Sequence, residues 1–168
     1  MPTRDVLDLR NHGETRRVLR QLGVDDAALS VIEAKVAEQT RSWLRLGEKH
    51  LKSVRRLRKY NEEWRSVVSR SYYAAYNASK AVRYYVHGWV SLEGDDHKRV
   101  GELPDDFPDR QRWGQFLIEL RDARNQSDYD PWPNTYRTLP VKPLDAVLGA
   151  DEFLSEARAY IKSRGGLL

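Results

Sequence analysis

Apolar residues along this chain recur at steps of three and four, the spacing that gathers side chains on one side of a helix. The clearest case is Asn61 to Trp89, NEEWRSVVSRSYYAAYNASKAVRYYVHGW, which has no Gly or Pro before Gly88 and predicts one long helix. Trp64, Val68, Ser71, Ala75, Ala78, Val82, Tyr85 and Trp89 form its apolar stripe. The stripe is large at its ends and small in its middle, so a partner helix is expected to come close around Ala75 and Ala78. Tyr73, Tyr76, Lys80, Arg83 and His87 form a second stripe roughly opposite, made of rings with polar tips and of positive charge. The first stripe reads as a core face; the second calls for another explanation.

The same spacing marks the other elements. Residues 1–24 read as an extension with a short helix from Glu14 to Leu22, stopped by Gly23. A long helix follows Asp25-Asp26, either of which can cap it, and runs to about Tyr60. Its expected inward positions are Leu29, Ile32, Val36, Trp43, Leu46, Val54 and Leu57, with a polar gap at Gln39 and Thr40 and a weak point at Gly47. After the Asn61–Trp89 helix comes a loop from Gly88 to Asp109 with a helical turn expected at Asp96 to Leu103. Asp109 can cap a helix from Arg110 to about Ser127, with Trp113, Phe116, Leu117 and Leu120 inward. Asp130-Pro131-Trp132-Pro133 ends it, because the residue before a proline is pushed out of helical geometry. The last helix covers about Leu144 to Arg164, with Leu144, Val147, Leu154, Ala157 and Ile161 inward and Gly165-Gly166 as its stop. Strand-like alternation is missing. The pattern predicts an all-α, four- to five-helix up-and-down bundle, formed by residues 25–168.

Composition narrows the chemistry. The 168 residues are 40% hydrophobic and 32% charged, which suits one globular domain with a sizeable core. With no cysteine, disulfides, thiolate catalysis and cysteine-based zinc sites are excluded. No apolar run is long enough for a membrane span, the first residues show no secretory address, and the expected compartment is the cytoplasm. The net charge of +4 is only mildly basic, so its distribution matters more than its sum.

That distribution is uneven. Arg41, Arg45, Lys49, Lys52, Arg56 and Lys59 follow helical steps, Arg55 and Arg58 widen the patch, and Glu48 is the one acid between Arg41 and Lys59. Charge runs are usually solvated helix faces. Here the like charges repel by a few tenths of a kcal/mol per pair, and a nucleic-acid contact explains better why they persist. Arg124 and Asp128 continue the apolar stripe of Leu117 and Leu120 one turn apart. Either they form an ordinary ion pair at a fraying helix end, or Asn125 and Asp128 orient a guanidinium that holds phosphate; spacing alone does not choose. His97, among Asp95, Asp96, Lys98 and Arg99, is the histidine best placed for function, whereas His12 and His50 have no company that suggests a role. No His and carboxylate spacing fits a metal, and no cofactor fingerprint is found.

Three blocks in order resemble the stand-alone prokaryotic branch of the HEPN family (higher eukaryotes and prokaryotes nucleotide-binding domain). They are SRSYYAAYNASKAVRYY at Ser69–Tyr85, DDHKRV at Asp95–Val100 and LRDARNQSDY at Leu120–Tyr129, within a similarity that covers roughly Ala27 to Arg164. The resemblance implies a four- or five-helix bundle that often forms a homodimer, with two copies of an Arg motif in a shared cleft. It also implies RNA or nucleotide as ligand and a setting in toxin–antitoxin or antiviral defence. Many members are metal-independent endoribonucleases in which Arg stabilises charge and a His four to six residues on handles a proton. Others pair with a nucleotidyltransferase that modifies a tyrosine near the motif. Arg124 and Asn125 match the motif, but the window after them offers Tyr129, Asp130 and Pro131 and no His.

These readings give three functional expectations. The first is RNA or nucleotide binding with a degenerate nuclease motif. Arg124 would contact phosphate, Asn125 and Asp128 would position it, Tyr73, Tyr76 and Tyr129 would line the cleft, and the Arg41–Lys59 stripe would add non-specific affinity. The second is a ribonuclease in which His97 replaces the missing histidine beside Arg124. The third is an interaction module whose tyrosine stripe docks a nucleotidyltransferase.

Overall fold

The computed structural model describes residues 11–57, 59–91, 94–131 and 135–166. Residues 1–10 of the expected extension, Arg58 of the basic patch and the Trp132-Pro133 stop lie outside them. The described residues form five α-helices: α1 (His12–Gln21), α2 (Asp26–Leu57), α3 (Trp64–His87), α4 (Arg110–Tyr129) and α5 (Pro143–Ser163). Short 3₁₀ turns sit at Asn61–Glu63, Gly94–Arg99 and Tyr136–Thr138. There is no strand among these residues, only one isolated antiparallel bridge between Asn11 and Trp89.

The helix ends follow local chemistry. Asp25 accepts a hydrogen bond from the Ala28 amide at 2.8 Å, so its side chain holds an amide that the first turn of α2 leaves open. At the far end of α3, Gly88 takes the left-handed conformation (φ 76°) that closes a helix, and its N–H bonds the Tyr84 carbonyl. Gly88 has a second duty. A Cβ there would lie 2.6 Å from the Cα of Gly13, so these two glycines are what let α1 seat on the end of α3. His12 seals that contact: its Nε2–H donates to the Tyr84 carbonyl at 2.9 Å while the ring is buried edge-on against Tyr84.

α3 is the central helix, packed against α2, α4 and α5. The expected close approach at its small residues occurs one position earlier, where the backbone of Ala74 meets Gly47 of α2. The expectation of one apolar and one polar face for α3 is overturned. Every residue from Ser71 to Tyr84 is buried except the half-buried Tyr73. The cause is the loop after α3, which folds back so that Val100, Leu103 and Phe107 complete the core. Tyr76, Lys80 and Arg83 are therefore interior residues and not part of a surface stripe.

The buried side of α2 is also rotated from the expected one. Leu29, Val36, Thr40, Leu44, Gly47, Leu51 and Val54 face inward, while Leu46 is 42% exposed. Thr40 fits the core because its hydroxyl donates to the Val36 carbonyl at 2.8 Å, so no polar gap results. On α5, Leu144 is exposed and Ala146, Ala150, Phe153 and Tyr160 join the core instead.

Candidate functional site

The end of α4 meets the first half of α3, and Arg124 lies at that meeting. Its Nη2 donates to the hydroxyls of Tyr73 at 2.6 Å and Tyr129 at 3.1 Å, and its Nη1 donates to Asn125 Oδ1 at 3.1 Å. Nε lies 2.8 Å from Asp128 Oδ2, an ion-pair contact in which the N–H is not aimed at the oxygen. Asp128 is held in turn by the Ser69 hydroxyl at 3.2 Å. The guanidinium also lies 4.9 Å from the Tyr129 ring and 5.3 Å from that of Tyr73. Of the two readings left open by spacing, the ion pair is present, and it is knitted to the tyrosines.

Arg65 fixes the end of α4 from the neighbouring helix. Its Nη1 donates to the carbonyls of Ser127 at 2.7 Å and Asp130 at 2.9 Å, where a helix terminus leaves acceptors unsatisfied. Arg65, Ser66, Ser69, Arg70, Tyr73, Ser127 and Asp128 surround an open cavity of about 360 Å³. On the α2 side, the His50 ring stacks on Tyr73 with centroids 5.6 Å apart. Burial and the nearby Arg70 charge hold the His50 pKa below its ordinary value, so the imidazole is neutral at neutral pH.

His97 approaches the same tyrosines from the loop. Its Nδ1 is 2.7 Å from the Tyr72 hydroxyl, its ring stacks on Tyr76 at 4.3 Å, and it meets Tyr73 edge-on at 6.2 Å. Burial, with the Arg124 charge, lowers its pKa as well. The neighbouring Asp96 anchors this loop. It is fully buried, accepts two hydrogen bonds from Arg83 at 3.0 and 3.1 Å and one from Tyr76 at 2.7 Å, and lies 3.4 Å from Lys80. Burial alone would raise its pKa, but the Arg83 pairing more than offsets this and keeps the carboxyl below its ordinary range.

The predicted site residues thus divide. Arg124, Asn125, Asp128, Tyr129 and Tyr73 come together, with His97 against the far edge of the tyrosine cluster. Tyr76 is 9% exposed and its hydroxyl is committed to Asp96, so it supports the site from inside. The Arg41–Lys59 stripe stands apart. Arg45, Lys49, Lys52 and Arg56 are exposed and Arg41 half-buried, on the side of α2 away from its buried residues, and the exposed Lys59 follows the end of the helix. One flank of α2 reaches Tyr73 through His50. The other reaches α5, where Arg55 pairs with Asp151 at 3.2 Å and Glu48 with Arg158. Among the described residues, no three of His, Cys, Asp or Glu gather as metal ligands. None of the helices is long and apolar enough to cross a membrane.

Sequence reasoning missed Arg65, Arg70, His50 and Asp96. A usable signal existed for His50. Trp43, His50 and Leu57 stand at steps of seven, which places the histidine on the flank of the buried side rather than in solvent.

Comparison with known families supplies the context for this geometry. A family model described as HEPN domain matches residues 40–162, the span from the middle of α2 to the end of α5. The chain belongs to the HEPN-domain family. No curated protein and no solved structure matches it. Membership ties this HEPN protein to nucleotide- or RNA-related function, and the matched span contains every residue of the cleft just described.

Proposed function

We propose that this HEPN protein binds RNA or a nucleotide at the cleft between α3 and the end of α4, and that it cleaves RNA weakly or not at all. The observation that carries this reading is an open cavity bordered by Arg65, Arg70 and Tyr73, with Arg124 bonded to the Tyr73 and Tyr129 hydroxyls and paired with Asp128 beside it. Guanidinium and hydroxyl donors are the groups that phosphate oxygens take as partners. Asn125 and Asp128 hold Arg124 in place. The exposed Arg41–Lys59 stripe, on a different face, adds sequence-independent attraction that weakens with salt. Weak cleavage follows from the motif itself, whose window after Arg124 contains no histidine. We extend the reading to a cytoplasmic homodimer acting in a defence or toxin–antitoxin setting, as the family habit suggests.

The test is RNA binding and RNA cleavage in EDTA by wild type and Arg124→Ala side by side. Salt-sensitive binding that Arg124→Ala weakens, with little cleavage, is the expected result. A second reading, a ribonuclease using Arg124 and His97, is favoured by the edge contact of His97 with Tyr73, the tyrosine that Arg124 also holds. It requires rapid metal-independent cleavage that both Arg124→Ala and His97→Ala abolish. The docking of a nucleotidyltransferase on the tyrosine stripe loses its surface, since Tyr76, Lys80 and Arg83 are buried.

A further inference from the structure

Arg124, bonded to Tyr73, and Arg70, which borders the cavity with it, differ in what they have left to offer a ligand. Nη1 and Nη2 of Arg124 bond Asn125, Tyr73 and Tyr129, its Nε is buried in ion-pair contact with Asp128, and its side chain is only 14% exposed. Its charge is largely answered by Asp128 before any anion arrives. Arg70 borders the same cavity one turn along α3, is exposed, and forms no ion pair or hydrogen bond among the described residues. His50 is next to it, half-buried, with neither ring nitrogen hydrogen-bonded among those residues and its ring stacked on Tyr73. An anion entering the cavity meets the uncommitted Arg70 on its lining, with His50 behind Tyr73, whereas Arg124 is engaged with Asp128 and the tyrosines.

We infer that a phosphate group, the phosphodiester of RNA or the phosphate of a nucleotide, is held by Arg70 with His50. Arg124 is then a positioning residue that fixes Tyr73, and through it the stacked His50. This assignment rests on the proposed binding of RNA or nucleotide and names which groups of that cleft make the contact. Two physical points support it. A solvent-accessible guanidinium keeps its paired N–H fork for a phosphate, and an imidazole beside it can donate one further hydrogen bond. Asp128, which would be displaced at Arg124, is also held by the Ser69 hydroxyl, so opening that ion pair carries an additional cost.

The experiment is a salt titration of a fluorescein-labelled oligouridylate binding to wild type, Arg70→Gln, His50→Ala and Arg124→Gln in EDTA, with circular dichroism to check each fold. Each phosphate contact on a single strand contributes about 0.7 to the slope of log affinity against log salt. Arg70→Gln is expected to weaken binding about tenfold and to lower that slope by about 0.7. His50→Ala weakens binding by a smaller factor, and Arg124→Gln weakens it without changing the slope. Arg70→Gln binding with wild-type affinity and slope, while Arg124→Gln binds poorly, overturns the assignment and leaves the RNA-binding reading intact. A slope that falls in Arg124→Gln as it does in Arg70→Gln makes Arg124 a direct contact and also overturns it. A wild type that binds no oligonucleotide at low salt removes both. A titration with AMP under the same conditions shows which source of phosphate the cleft prefers.

Discussion

Two arginine–aspartate pairs, each touching a tyrosine hydroxyl, lie on opposite sides of the same tyrosine cluster. Arg83–Asp96 is sealed, with side chains 5% and 1% exposed, while Arg124–Asp128 sits at the cavity rim at 14% and 25%. The sealed pair has its charge met from every direction, by Arg83, Lys80 and the Tyr76 hydroxyl, and it ties the loop of His97 to α3. The rim pair is a single i, i+4 contact on the last turns of α4, which orients two tyrosines and remains within reach of water. The same chemistry therefore does different work according to depth. Buried, it fixes where the backbone goes; at the rim, it sets what a ligand meets.

Breaking each pair separates these roles. Asp96→Ala strands Arg83 and Lys80 in the interior and is expected to cost about 3–5 kcal/mol in urea unfolding, the largest effect in the molecule. Asp128→Ala is expected to cost no more than about 1 kcal/mol, because the rim pair retains solvent and the helix spacing supplies little energy. That variant should bind RNA more weakly than wild type, since Arg124 loses the carboxylate that holds it beside Tyr73, and a fluorescence anisotropy titration reads this directly. If Asp128→Ala unfolded the protein as readily as Asp96→Ala, the division between a structural and a ligand-facing pair would be lost.

His12 sharpens the comparison as a buried polar group without a charge partner. Burial, opposed by its bond to the Tyr84 carbonyl and aided by the Arg16 charge, depresses its pKa below the ordinary 6.5. The unfolded chain therefore takes up the proton first. The contribution of His12 is complete above pH 6.5 and is lost as pH falls from there through the folded-state value. Hydrogen exchange at the Gly13 amide, which bonds the Gly88 carbonyl at 3.0 Å, should accelerate in acid relative to the α3 core, after correction for intrinsic exchange. His12→Phe should remove the acid dependence. The smallest effect is expected for Lys49→Ala and Arg56→Ala, exposed residues without an ion pair among the described ones, whose stability should stay within about 0.5 kcal/mol of wild type.

The helical class and the element order were legible from spacing, because each helix of an up-and-down bundle buries one stripe and the chain shows four such stripes. α3 broke the rule for a topological reason. A helix at the centre of a bundle has no outer face once a loop covers it, and the Tyr76, Lys80 and Arg83 positions look the same in sequence whether they meet water or Asp96. The Arg124–Asp128 contact was legible because it is local. Arg70, His50 and Asp96 were not, since their neighbours come from other elements. His50 meets Tyr73 across the α2–α3 contact, and Asp96 meets Arg83 only after the loop turns back.

The central claim is that the cleft organised by Arg124 receives an RNA or nucleotide phosphate. The most direct measurement is oligouridylate binding in EDTA at low salt by wild type and Arg124→Ala. The account predicts measurable affinity for wild type, a fall of about tenfold or more in the variant, and little cleavage in either. No binding by wild type, or equal binding by the two proteins, would contradict it.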